Sequence, residues 1–115
     1  MNNIVINEKS EFEYDKVLDF YYCDNDIWKC KDKIGFIRYV LDGNNMELRQ
    51  IFIDERYRHK KYGTMLLDKL IEITKNNKIS KIWLLSSTSN TEVFFKFLVN
   101  KGFVKENDNK WVKQI

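Results

Sequence analysis

The stretch Ile51-Phe52-Ile53-Asp54-Glu55-Arg56-Tyr57-Arg58-His59-Lys60-Lys61-Tyr62-Gly63-Thr64-Met65-Leu66-Leu67 decides the fold. Its first residues end an apolar run from Met46, and the turn Asp42-Gly43-Asn44-Asn45 marks that run as the second arm of a hairpin. Its last residues open the strongest helical period in the chain, with Tyr62, Leu66, Leu70 and Ile73 widened by Met65 and Ile71 up to Asn76-Asn77. Between strand and helix, residues 56–61 hold the four cations Arg56, Arg58, Lys60 and Lys61. Amides at a helix start lack intrahelical acceptors and lie at the positive end of the dipole, so this corner suits a diphosphate. Gly63 sits in the first turn at a propensity cost of up to ~1 kcal/mol, which close approach of a ligand or backbone explains. A solvated basic turn with a tolerated glycine fits the same residues. The spacing is neither GxxxxGK[ST] nor GxGxxG.

Working outward toward the N-terminus, Ile4-Val5-Ile6 is predicted as a strand. Ser10 and Glu13 form a capping box ahead of Phe12, Val17, Leu18 and Tyr21, so residues 11–22 are predicted as a helix. Residues 27–31 and 34–41 are predicted as two strands linked by Lys31-Asp32-Lys33, the second pairing with 46–53. Toward the C-terminus, residues 79–85 have strand character and Ser89 with Glu92 opens a helix carrying Val93, Phe94, Phe97 and Leu98. Gly102 suits the C-prime position, with Phe103 folding back on the last turn. Residues 103–106 and 111–115 then form a closing pair around Asn107-Asp108-Asn109. This order predicts an α+β fold, a mixed central sheet covered by helices, with no internal repeat and no linker to a second domain.

The 115 residues fit a single domain spanning 1–115, long enough to bury a core without a structural metal or disulfides. With 43% hydrophobic and 32% charged residues the chain is compositionally globular, and a net charge of +3 is no nucleic-acid footprint. No run approaches the ~20 apolar residues of a membrane span, and residues 1–10 lack a signal-like apolar core, so a cytoplasmic location is the expectation. Cys23 and Cys30, with the single histidine His59, make no zinc or CxxC pattern, and reduced thiols are expected.

At the basic corner, Arg58-His59-Lys60-Lys61-Tyr62-Gly63 followed by Thr64-Met65-Leu66-Leu67 resembles the acyl-coenzyme A signature of the GCN5-related N-acetyltransferase (GNAT) family, approximately [RQ]xxGx[GA] after a strand. Lys61 replaces the usual first glycine, and Glu55 stands where proline is common. Phe97-Leu98-Val99-Asn100-Lys101-Gly102-Phe103 is similar to the family's F-Y-x-x-x-G-F ending, with Leu98 at the tyrosine position. The resemblance covers most of the chain from Ile34 onward and implies a compact GNAT-like acyl-CoA N-acyltransferase fold. It further implies acetyl-CoA as acyl donor, with the pyrophosphate at Arg58, His59, Lys60, Lys61, Tyr62, Gly63 and Thr64 and the thioester along Ile51, Phe52 and Ile53. The implied reaction is direct attack by a primary amine of a small molecule or peptide.

Glu47 matches the strand carboxylate that some members use as a general base; an exposed carboxylate paired with Arg49 is the alternative. Simple alternation sets Glu47, Arg49, Ile51 and Ile53 on one face, unless a bulge changes the phase. The place of His59 in the anion turn, remote from a thioester further along the strand, favours a diphosphate contact or an exposed histidine over a base. Leucine cannot protonate a leaving thiolate, so Leu98 supports an alternative: a catalytically weak or inactive acyl-coenzyme A binding or interaction protein. Under the family resemblance residues 11–26, with Asp15, Asp19, Asp24, Asp26, Tyr21 and Tyr22, form one wall of the acceptor cleft. Because only one helix is predicted between the first two strands, the cleft is expected to be open or completed by a second copy in a homodimer.

Overall fold

The computed structural model describes residues 4–10, 15–23, 30–86 and 92–115. The elements run β1 Ile4–Ser10, β2 Asp15–Cys23, β3 Cys30–Asp42, β4 Asn45–Ile53, a 3-10 turn Glu55–Tyr57, α1 Tyr62–Asn76, β5 Lys81–Leu85, α2 Glu92–Asn100, β6 Val104–Asn107 and β7 Lys110–Gln114. All seven strands join one sheet in the order β1-β2-β3-β4-β5-β7-β6. β4 and β5 are parallel, and every other neighbouring pair is antiparallel.

The predicted helix over 11–22 is corrected: its described part is strand β2, paired with β1 from Ile4↔Tyr22 to Ser10↔Lys16 and with β3 on its other edge. The physical reason is visible in Val17-Leu18-Asp19-Phe20, all four of which are buried. An amphipathic helix needs a polar face, whereas a central strand buries residues on both faces in succession. Of the proposed capping pair, Ser10 is the last residue of β1, and Glu13, with residues 11–14, lies outside the described residues. Residues 24–29, which include the start of the predicted strand 27–31, and the proposed cap Ser89 lie outside the described residues. Lys31-Asp32-Lys33 is not a link but part of the continuous thirteen-residue β3.

Of the acidic wall expected from residues 11–26, Asp15 and Asp19 lie on strand β2 rather than on a helix, and Asp24 and Asp26 lie outside the described residues. Asp19 instead lies buried in the sheet, with Lys9 Nζ at 3.1 Å from Oδ2 and Lys33 Nζ at 2.8 Å from Oδ1. The expectation of reduced thiols is also corrected. Cys23 is disulfide-bonded, and the register of β2 on β3 sets Cys30, the chain's other cysteine, opposite it. Directly opposed antiparallel residues fall within the Cα separation that a disulfide requires.

Helix α1 buries Leu66, Leu67, Leu70 and Thr74 against a core that includes Ile37, Met46, Leu48, Ile82 and Leu84. Helix α2 lies beside it, where Lys101 Nζ meets Asp68 Oδ1 at 3.0 Å and Phe95 stacks on Trp111 of β7 at 5.6 Å. Its end takes the predicted form: the Phe103 amide donates to Leu98 O and that of Gly102 to Val99 O, both at 3.0 Å, with Gly102 at φ 88°. Both described helices thus cover the same face of the sheet. No described helix covers the opposite face, where Asp19 and its two lysines lie.

Burial alone would push the Asp19 carboxyl up, but hydrogen bonds and charge from Lys33 and Lys9 outweigh it and hold the group below its ordinary value. Asp19→Asn is expected to cost about 2 kcal/mol near neutral pH, less than a fully buried pair would lose because both ammonium groups reach solvent. A depressed folded-state value means that this contribution is complete above the unfolded value of about 3.9 and disappears as pH falls through the folded one. Urea midpoints of the wild type and the variant should therefore differ at neutral pH and converge in acid.

Candidate functional site

The two parallel strands stay together for only three residue pairs, Asn45↔Lys81, Met46↔Ile82 and Glu47↔Trp83. Beyond Glu47 they part, β4 continuing to Ile53 and β5 to Leu85. The parting coincides with a bulge in β4, where Leu48 faces Tyr39 and Gln50 faces Arg38, leaving Arg49 as the extra residue. The gap becomes a cleft of about 820 Å³, walled by residues 48–53 of β4, Leu84 and Leu85 of β5, and Val93, Phe94 and Phe97 of α2. That volume lies within the range of small-molecule and cofactor sites.

The bulge also overturns the simple alternation. Met46 and Leu48 are buried in the helix-covered core, and after the extra residue Ile51 and Ile53 pack against that same core. Glu47 and Arg49 belong to the opposite face, so Glu47 does not share a face with Ile51 and Ile53 as predicted. Gly35 of β3 lies beneath the far end of β4: a Cβ there would collide with the Phe52 carbonyl and come within 3.0 Å of the Ile53 backbone. The only residue that fits is one without a side chain.

At that far end the chain turns through residues 54–61 into α1. Asp54 organises the turn, its Oδ1 accepting from the Arg56 amide at 3.0 Å and from Arg56 Nε at 3.1 Å. The backbone bond from Arg56, then its side-chain bond, hold the Asp54 carboxyl below its usual value. Tyr57 donates its hydroxyl to Asp32 Oδ2 at 2.7 Å, a bond that, with partial burial, raises its pKa. Its ring meets that of Tyr62 edge-on at 6.0 Å, tying the turn to both β3 and the helix start.

His59 and Lys61 have φ of 63° and 65°, left-handed values that non-glycine residues rarely adopt. Lys61 is the N-cap of α1 and makes no side-chain cap hydrogen bond. The Met65 amide is the first in the helix to reach a carbonyl, that of Lys61 at 3.1 Å, so the amides of Tyr62, Gly63 and Thr64 have no intrahelical acceptor. Added methyl space at Gly63 would meet only Phe97 at 3.8 Å and Ile53 at 3.9 Å. The fold itself thus has room for a side chain there, and the space over this turn opens into the cleft.

Of the predicted cofactor residues, Ile51, Phe52, Ile53, Arg58, His59, Lys61, Tyr62, Gly63 and Thr64 all line the one cleft; Lys60, exposed on the turn, does not. The four cations divide: Arg56 is turned to Asp54 and Asp32, while Arg58 and Lys61 border the cleft. Arg58 is held by a 2.9 Å bond from Nε to Ile53 O. Glu47 lies outside the lining residues, with Oε1 accepting from Arg49 Nε at 3.1 Å. Leu98 is fully buried in the core and leaves the α2 wall to Phe94 and Phe97, aromatic residues that sequence spacing assigns to helix packing. Arg49, which the sequence offers only as an ion-pair partner of Glu47, and Tyr57 also border the cleft, because a bulge and a cross-sheet hydrogen bond leave no local pattern.

The chain matches the Acetyltransferase (GNAT) family over residues 6–97, and it belongs to that family. Comparison with curated protein sequences returns no significant match. Among solved structures it resembles the PaiA N-acetyltransferase of Thermoplasma acidophilum in complex with coenzyme A, at 25% identity and TM-score 0.72, covering 89% of this chain and 62% of that one. The chain therefore spans under two thirds of that relative's length. It also resembles an IAA acetyltransferase from Bacillus cereus at 15% identity and TM-score 0.77, covering 97% of this chain and 99% of that one. The Escherichia coli ribosomal-protein-S18-alanine N-acetyltransferase shares the fold at 17% identity and TM-score 0.77, with 91% and 72% covered. The α+β mixed sheet expected of the family is thus the fold of this chain.

The left-handed Lys61 explains why glycine is usual at that point of the family signature: an L-residue there carries a penalty of about 1–2 kcal/mol. Lys61→Gly is expected to raise the stability of the free protein by about 1 kcal/mol, read as a higher thermal midpoint. The same change at Lys60, which is not among the positive-φ residues, should lower it.

Proposed function

We propose that the protein is an acetyl-CoA-dependent N-acetyltransferase acting on a primary amine of a small molecule or peptide. The observation that carries this reading is the splayed β4–β5 cleft closed at its wide end by the Arg58 to Thr64 turn. The residues present suit acetyl-CoA: unpaired amides and the flanking Arg58 and Lys61 for the diphosphate, and an apolar wall of Phe94 and Phe97 for the pantetheine arm. Exposed backbone along β4, freed where β5 parts from it, offers hydrogen-bond groups to the amides of that arm. When bound, acetyl-CoA supplies an activated thioester. The chain's part is to hold it in the cleft, keep the acceptor amine near the bulge and remove the amine's proton.

In this reading Glu47 stands beside the point where the strands part and acts on the acceptor amine, directly or through water, as the general base. Its ion pair with Arg49 holds the carboxylate in place. A second reading, a catalytically weak or inactive acyl-coenzyme A binding protein, is favoured by Leu98, which offers neither a hydroxyl nor access to the cleft.

Calorimetry with acetyl-CoA tests the cofactor assignment, and absence of binding at millimolar ligand rejects it. Removing charge at Arg58 or Lys61 should weaken binding, more so at low salt, whereas Lys60→Gln should have little effect. Gly63→Ala should leave thermal stability unchanged or slightly raised but reduce affinity, because only the ligand competes for that space. Release of free coenzyme A across an amine panel separates the two readings: dependence on the acceptor supports transfer, and a flat background supports the binding protein. Glu47→Gln should then lower kcat by about a hundredfold without changing acetyl-CoA affinity, and an unchanged rate excludes it as the base.

A further inference from the structure

Arg49 is the extra residue of the β4 bulge, at the narrow end of the cleft and about four residues, or ~13 Å, from the turn at Ile53 that begins the anion corner. Its side chain emerges on the sheet face not covered by the described helices and is 55% exposed. Among the described residues it makes one side-chain polar contact, from Nε to Glu47 Oε1 at 3.1 Å. That contact engages the guanidinium through its inner nitrogen, and the two terminal nitrogens carry four further N–H donors. Arg38 of β3, opposite Gln50, adds a second guanidinium on this face. Trp83, the register partner of Glu47 on β5, is half-buried beside them.

A half-exposed planar fork held through its inner nitrogen suits a carboxylate or phosphate, which accept two parallel N–H bonds. A simple alkylamine would bring only another positive charge to a place that already holds two guanidinium groups. We infer that Arg49 is a specificity-determining residue that binds an oxyanion on the acceptor, so that the preferred substrates are amines that also carry a carboxylate or phosphate group. The inference rests on the N-acetyltransferase reading above and deepens it. Glu47 serves both ends of such a molecule: it holds Arg49 against the anionic end and faces the amine.

The test uses matched acceptors with the full chain: 4-aminobutanoate against butylamine for the carboxylate, and O-phosphoethanolamine against ethanolamine for the phosphate. Wild-type protein is expected to favour the anionic member of at least one pair by about tenfold or more in kcat/KM, chiefly through KM. Which pair shows the preference distinguishes carboxylate from phosphate. Arg49→Gln should reduce that preference to under about threefold, and Arg49→Lys should restore part of it, since charge remains without the fork. Acetyl-CoA affinity, measured separately for each variant, distinguishes a loss of acceptor preference from a loss of cofactor binding. Equal rates within both pairs, or a preference that survives Arg49→Gln, would overturn the assignment while leaving acetyl transfer intact. If no amine is turned over, the same pairs are compared by equilibrium binding to coenzyme A-loaded protein, where absent or undifferentiated binding also overturns it. Failure to bind acetyl-CoA at all would instead remove the underlying reading.

Discussion

The site depends on one feature: the parallel ladder between β4 and β5 lasts only three residue pairs, and β4 carries an extra residue just where that ladder ends. After Glu47 and Trp83 the hydrogen-bond ladder between β4 and β5 stops, and the bulge at Arg49 turns β4 away while keeping its apolar side chains on the core. Backbone groups that would have been paired are left facing a cleft, and a ligand that runs alongside β4 can use them. Gly35 makes the arrangement possible at the other end, where β3 must pass directly under the Phe52 carbonyl.

The anion corner is built by a different device. Asp54 and Asp32 take up Arg56 and Tyr57, so that the turn is pinned before it reaches the helix. Two left-handed residues, His59 and Lys61, then lead into the first turn of α1, whose Tyr62, Gly63 and Thr64 line the cleft. The strain at Lys61 is local and is retained in a residue whose charge also borders the site. The helix is anchored by Leu66, Leu67 and Leu70, each a buried side chain contributing roughly 1.5–3 kcal/mol, so the corner is held by packing well away from the ligand.

The N-terminal hairpin gives this chain its particular shape. With β1 and β2 joined edge to edge, and β2 buried on both faces, the described helices are confined to one side of the sheet. The other side is made of strand side chains alone among the described residues, and it includes an ion triad centred on Asp19 as well as the Glu47–Arg49 pair. Polar groups on this face are matched by neighbours across strands at Asp19 and along one strand at Glu47, which places charged side chains directly beside the point where β4 and β5 diverge.

The residues of the strand, turn and helix from Ile51 to Leu67 were sufficient to determine the family, the long helix and the members of the cofactor corner, because that information is local: a helical period, a cluster of cations and a glycine in a fixed order. The ending at Gly102 was equally legible, since a left-handed cap leaves its own residue signature. Residues 15–23 were not, because an apolar run fits a helix or a doubly buried strand, and only its pairing with β1 and β3 decides between them. The same holds for Glu47, Arg49 and Leu98. Their faces depend on a one-residue bulge and on how α2 packs, and a shift of one position in a period of two sends a side chain to the opposite side of the sheet.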